Sequence, residues 1–256
     1  GPSGSGKTTS ALILEKYLDE HDCETHTLSL DNYFKPILGE DKKLLEDGKI
    51  DLESPERVDS VFLNEQLQRI VDCEPVRLPR FDFKQNDRLF REEDFIRKDG
   101  ELVILEGVHS LNPSVITIPD DECSKIYVSV RTRVSDGDFV IHPSYIRLMR
   151  RLIRDSQHRG RSFEHTISMF GSVEDGAEKY IMPFKYRATH NIDTFISYEI
   201  NAYKMFLSDG LRELKENETA KTLLRILDRA EPVPEQTIPK SSLIREFIGG
   251  SSFDYK

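Results

Sequence analysis

Gly1-Pro2-Ser3-Gly4-Ser5-Gly6-Lys7-Thr8 is the stretch whose reading decides the fold. It fits G-x-x-x-x-G-K-[ST], and each residue type has a physical reason. The glycines let the backbone turn its N–H groups inward around phosphates. Lys7 brings a compact positive charge to the outer phosphates, and the Thr8 hydroxyl is suited to Mg²⁺. The residues that follow, with Ala11, Leu12, Leu14 and Leu18 on one stripe, predict a helix over 7–18 whose positive end points at the same anion. By average residue usage a chain of this length matches the pattern by chance roughly once in a hundred. The motif needs a strand immediately before it. The sequence starts at its first glycine, so that strand is expected in a segment ahead of Gly1 and the chain is read as part of a longer protein.

Working outward, apolar runs and helical periodicities alternate. Strands are predicted at 25–30 (THTLSL), 102–105 (LVIL), 125–130 (KIYVSV) and 192–197 (IDTFIS). LVIL is apolar throughout, as a strand buried on both faces would be. Helices are predicted at 56–71, 143–158, 164–182 (with a break near Gly171) and 202–214. Strands separated by helices imply βαβ units. The expected fold is therefore α/β: a P-loop NTPase, with a mainly parallel sheet flanked by helices. Residues 1–215 are taken as the nucleotide-binding domain, its preceding strand missing from this chain. Residues 216–256 are taken as a C-terminal extension that packs on the domain or a partner.

A nucleotide site of this kind needs an acid at the carboxyl end of a neighbouring strand. Asp31 follows TLSL and Glu106 follows LVIL, and this placement matters in a chain of 46 acidic residues. The lesser alternative for each is a capping or turn acid. Asp31 is the choice for a base that accepts the proton of an attacking hydroxyl, and Glu106 with Thr8 for the Mg²⁺ shell.

Arg147, Arg150, Arg151 and Arg154 share one face of the predicted helix 143–158, and Arg159-Gly160-Arg161 follows its end. A charged helix face is usually solvated. Here the like charges lie side by side, and guanidinium is suited to phosphate. The expectation is a helical, arginine-rich lid that presents its guanidinium groups to phosphates and excludes water.

These pieces resemble the uridine kinase and phosphoribulokinase family of P-loop kinases. The resemblance rests on GPSGSGKTT at 1–9, DNYF at 31–34, LESPERVD at 52–59, PRFDF at 79–83 with Arg88, LVILEG at 102–107 and RLMRRLIRDSQHRGRS at 147–162. It covers about residues 1–200. It implies an ATP-dependent kinase using Mg²⁺, with Lys7, Asp31 and Arg154 in the chemistry. The ATP contacts it implies are Gly1, Ser3, Gly4, Ser5, Gly6, Lys7, Thr8, Thr9, Arg159 and Arg161. The acceptor contacts are Asp31, Tyr33, Glu53, Phe81, Phe83, Asn86, Arg88, Arg151 and Arg154. Uridine kinases carry Tyr, His and Gln where this chain has Phe81, Asn86 and Met169, and an Asp where it has Glu53. Those changes fall on the base reader and bear on the acceptor. The segment 135–144 is absent from ordinary uridine kinases. Together with 166–183 and the ending SSLIREFIGGSSF, it resembles a bacterial subgroup that often carries an N-terminal TGS-like region. The leading expectation is a nucleoside kinase acting on a 5′-hydroxyl. A sugar kinase like phosphoribulokinase, or an ATP-binding regulatory module, remains the alternative.

The bulk numbers fit this. The net charge of −10 gives no basic surface for nucleic acid, so the expected partner is a small-molecule acceptor; self-association is left open. Among 256 residues no apolar run is long enough for a membrane. Cys23, Cys73 and Cys123 are far apart and odd in number, which fits reduced thiols in the cytoplasm rather than disulfides or zinc. His21, His26, His142, His158, His165 and His190 show no metal spacing, whereas His109 follows Glu106 closely enough to touch substrate.

Overall fold

The computed structural model describes residues 1–39, 42–43, 50–82 and 85–255. The chain divides into two compact units. One comprises residue 1, Ala11–Tyr127 and Gly176–His190; the other comprises Pro2–Ser10, Val128–Asp175 and Asn191–Lys256.

In the first unit, β1 (Thr25–Ser29) and β4 (Leu102–Glu106) run parallel, with Thr25 beside Leu102 and Ser29 beside Glu106. Helix α2 (Ser60–Val71) is capped by the Asp59 carboxylate, which accepts from the Phe62 N–H. Its buried side chains Leu63 and Leu67 pack with Leu30, Tyr33, Val58 and Val115. Ile70 packs with Leu28, Val76 and Leu78. The helix expected over 56–71 is thus two pieces, a single 3-10 turn Pro55–Arg57 and then α2, because Asp59 restarts it. Strands β2 (Pro79–Asp82) and β3 (Asp87–Phe90) form an antiparallel hairpin. A third small cluster joins Leu111 and Tyr127 to Ala177 and Ile181.

The second unit has one larger core. Helix α3 (Pro143–His158) contributes Ile146, Leu148, Met149, Leu152 and Ile153; α5 (Glu199–Glu213) contributes Tyr203, Leu207 and Leu211. Helix α6 (Glu218–Asp228) adds Leu223, Ile226 and Leu227, and Ile244 and Phe247 come from near the C-terminus, Phe247 in the short α7 (Arg245–Ile248). Each fully buried side chain of this size contributes about 1.5–3 kcal/mol, so the residues beyond 216 are integral to this core. Segment 135–144 contains the turn and second strand of a hairpin, β6 (Val134–Asp136) and β7 (Phe139–Ile141), turning at Gly137 with φ +59°.

Strand β5 (Ile126–Ser129) pairs with β8 (His190–Asp193). The Thr189 N–H donates to Lys125 O and the Thr194 N–H to Ser129 O, so both strands advance in the same sense. Helix α1 (Lys7–Asp19) and helix α4 (Phe163–Tyr180) complete the set. The expected break at Gly171 does not occur. A mid-helix glycine costs only about 1 kcal/mol, and buried Ile167, Val173 and Ala177 offset it. The strand expected at 192–197 lies earlier because Asp193 ends it, its carboxylate accepting from the Arg131 and Phe195 N–H groups. LVIL also differs from expectation. Leu102 is 47 % exposed and the rest of β4 is half-buried; among the described residues the strand pairs only with β1. Among the described residues no helix is long and apolar enough to cross a membrane.

Candidate active site

In the second unit the phosphate loop is gripped from outside. Arg147 Nε donates to Ser3 O at 3.1 Å, Arg150 Nη1 to Gly4 O at 3.2 Å and Thr194 Oγ1 to Ser5 O at 2.7 Å. Arg151 Nη1 donates to Ser3 Oγ at 2.5 Å. A planar trans peptide carries its N–H opposite its C=O. Holding the Ser3 and Ser5 carbonyls outward therefore turns the Gly4 and Gly6 N–H groups to the other side, while the Ser5 N–H closes a turn on Pro2 O. Gly4 (φ +76°) and Gly6 (φ +78°) are in the left-handed region, and neither has room for a side chain. A Cβ on Gly4 would stand 3.0 Å from Arg147 O, and one on Gly6 would stand 2.7 Å from Leu243 Cδ1. Lys7 Nζ reaches back to Pro2 O at 3.2 Å.

Arg150 is the centre of this grip and is fully buried. Its Nε and Nη2 form a forked pair with Glu199 at 2.8 and 2.9 Å, and Nη2 also donates to Thr194 O at 2.8 Å. Tyr203 OH donates to the same carboxylate at 3.0 Å. Burial works against the Arg150 charge, but Glu199 outweighs it and the guanidinium stays protonated. Glu199 also accepts from the Ile196 N–H, which starts α5 earlier than the expected residue 202.

The arginine helix is therefore different from the lid expected. Arg147, Arg150 and Arg151 are buried and bind the loop and nearby carboxylates, rather than being displayed to solvent. Arg147 pairs with Glu174 at 2.6 Å. Their reach is inward because α3 lies within the core on nearly all sides. Arg154, Arg159 and Arg161 gather with Arg151 around fully buried Asp155, at 3.0, 3.6, 3.8 and 3.7 Å respectively. Burial alone would raise the Asp155 pKa, but Arg154, Arg151 and Arg159 outweigh it and hold the carboxyl below its usual range. Arg159 and Arg161 remain partly exposed.

The first unit holds the acids. Asp31 lies in the single turn Leu30–Tyr33 directly after β1, and Glu106 ends β4. Ser29 Oγ donates to Glu106 Oε1 at 2.7 Å. The two acids thus lie at the same carboxyl-terminal end of the β1–β4 pair. Asn32 Oδ1 accepts from the Phe81 N–H at 3.1 Å, tying this turn to β2.

Other expected acceptor residues divide. Tyr33 is core: it is buried and its hydroxyl donates to Gln66. Arg88 is a staple, donating to Asp59 Oδ2 at 2.9 Å and to the Phe34 and Tyr33 carbonyls, over the Phe62 ring. Phe81 is buried edge-to-face with Phe34. Asn86 has φ 53° and its carbonyl accepts from the Ile37 N–H. Phe83 lies outside the described residues. Glu53 packs on Gly176 so closely that a Cβ there would stand 2.4 Å from Glu53 Cβ. Beside it Tyr180 OH donates to Asp51 Oδ2 at 2.8 Å, and Tyr180 meets the buried His109 ring edge-on.

Thr194, Glu199 and Gly176 were not singled out from sequence. Thr194 directly follows a strand, a position where loops of α/β sheets serve sites, and that was the available signal. The others form pairs distant in the chain, which spacing does not reveal.

A glycine-rich phosphate loop opening a helix in an α/β chain, buttressed by arginines and accompanied by strand-end acids, defines a P-loop kinase. Residues 1–201 match the model of the phosphoribulokinase/uridine kinase family, and the chain belongs to that family. It is similar to a uridine kinase of Lactobacillus helveticus (strain DPC 4571), 32% identical over 189 residues, covering 72% of this chain and 79% of that protein. It is 31% identical over 188 residues to one of Lactobacillus johnsonii, with the same coverage of 72% and 79%. It is 32% identical over 175 residues to one of Staphylococcus aureus (strain JH9), covering 68% of this chain and 74% of that protein. Membership of the family makes the chain an ATP-dependent kinase acting on a small molecule.

Proposed function

We propose that this kinase transfers the γ-phosphoryl group of ATP to the 5′-hydroxyl of a nucleoside. The observation that supports it best is the pair of acids at one end of β1–β4, Asp31 just past Ser29 and Glu106 beside it in register, in a chain that carries the phosphate loop. Asp31 accepts the proton as the hydroxyl oxygen attacks the γ-phosphorus. The bond from that phosphorus to the β-bridging oxygen breaks, and ADP leaves. Lys7 and Arg154 offset charge on the transferred group. Thr8 and Glu106 offer hard oxygen donors that fit Mg²⁺, with Glu106 oriented by Ser29. Bound there, the ion supplies neutralisation of phosphate charge. Glu53, which packs against Gly176, is assigned to the ribose on the strength of its resemblance position.

Relatives named uridine kinase favour a nucleoside acceptor. Phe81 and Asn86, in place of polar readers, favour a base specificity different from theirs. The cytoplasm, which supplies ATP and keeps thiols reduced, is the proposed location. ADP formation measured with uridine, cytidine, adenosine and pentose phosphates tests the reading. One nucleoside should stimulate turnover strongly, and Asp31→Asn should lower kcat by about 10²-fold or more. Stimulation by a pentose phosphate alone, or none by any acceptor, would refute the nucleoside assignment.

A further inference from the structure

The C-terminal segment, beyond the residues matched to the family, reaches the first turn of α1. Glu246 Oε2 accepts from Thr9 Oγ1 at 2.5 Å and from the Thr9 N–H at 3.3 Å. Tyr255 OH lies 3.1 Å from the same Thr9 oxygen. Thr9 is fully buried beneath them. The segment is anchored. Arg245 donates to Glu235 and to the Glu235 and Ile238 carbonyls, Phe247 lies under Arg150, and Leu243 fills the space beside Gly6.

A carboxylate at the start of a helix is favourable because it meets outward-pointing N–H groups and the positive end of the dipole. In a phosphate loop that same seat receives nucleotide phosphate. The Thr9 donors cannot serve both anions, and two negative charges so close repel. We propose that Glu246 belongs to the nucleotide site and sets its affinity: it holds the Thr9 hydroxyl and N–H in the free protein and gives them up to the phosphate chain. This rests on the reading of Thr9 as an ATP contact. The extension thereby becomes a determinant of how tightly nucleotide is held, not only a cover for the core.

The test is calorimetric titration of ATP, ADP and adenosine into the wild type, Glu246→Gln, Glu246→Asp and Lys7→Ala, with thermal melts of each. Glutamine keeps the shape and removes the charge; aspartate withdraws the carboxylate by one methylene, a second route if glutamine impairs folding. Glu246→Gln should bind ATP and ADP about fivefold tighter, with adenosine unchanged. Glu246→Asp should shift in the same direction by less. In turnover KM for ATP should fall and KM for the acceptor should hold. If ATP binding requires Lys7 but is equal or weaker in both Glu246 variants, the inference fails and the phosphate-loop reading stands. If Lys7→Ala binds ATP as the wild type does, the reading fails and takes the inference with it.

Discussion

Replacing Arg150 separates the two tasks that this side chain performs. Arg150→Met removes the forked pair to Glu199, the bonds to both oxygens of Thr194 and the support of Gly4 O. Glu199 is fully buried and, among the described residues, would be left with Tyr203 OH and the Ile196 N–H. Leaving one partner of a buried pair uncompensated costs about 3–5 kcal/mol. That should lower the urea midpoint by about 2 M at a slope of about 2 kcal/mol/M. Adding Glu199→Gln removes the stranded charge and should recover most of the loss. Nucleotide affinity should not recover, because Gly4 O still lacks its donor and the Ser5 O contact from Thr194 loses its backing. A charged hydrogen bond contributes about 1.5–3 kcal/mol, so ATP should bind at least about tenfold more weakly in both the single and the double variant. Urea titrations with calorimetric binding of ATP check both parts. If the double variant regains ATP affinity along with stability, the idea that Arg150 orients the loop is refuted. A single variant that loses less than about 1 kcal/mol would refute the buried-pair argument.

Three further outcomes are expected. Asp155 has its folded pKa depressed, so its contribution is fully present above the ordinary carboxylate value of about 4 and is lost as pH falls below it. The wild-type urea midpoint should be level from about pH 7 to 5 and drop below about pH 4, whereas that of Asp155→Asn should start about 1.5 M lower, the equivalent of about 3 kcal/mol, and drop less. Gly176→Ala would drive a Cβ to 2.4 Å from Glu53 Cβ and 2.8 Å from its Cγ, so KM for the acceptor should rise about tenfold while KM for ATP stays within about twofold; equal changes in both would refute the local effect. Gly6→Ala meets Leu243 at 2.7 Å with φ +78° and should weaken ATP binding by at least about tenfold, which equilibrium titration would show.

Much of the fold was legible because it depends on local pattern. The phosphate loop, the helix at 143–158, the strand that leads into Asp31 and the strand that ends at Glu106 were readable from periodicity and punctuation. Boundaries moved where a single side chain caps or stops an element, as Asp59, Asp193 and Glu199 do. The arginine helix was the largest misreading. Guanidiniums side by side on one helix face read as a lid offered to phosphates, because the stripe itself carries no sign of which acceptors it meets. What reverses it are acceptors distant in sequence, Glu174, Glu199 and the loop carbonyls, that satisfy buried guanidiniums. Tyr33 and Arg88 were placed with the acceptor by resemblance, and their partners Gln66 and Asp59 tie them into the framework.

The cluster around Asp155 also bears on how variation in this segment accumulates. Arg151, Arg154, Arg159 and Arg161 all lie within ion-pair reach of the Asp155 carboxylate, so deleting one lets the others approach it more closely and partly mask the deletion. Deleting two should then cost more than the sum of the parts, with coupling of about 0.5–3 kcal/mol. Epistasis of this kind makes each arginine look dispensable when tested alone, and it gives an evolving lineage freedom to exchange them singly so long as the shared carboxylate remains.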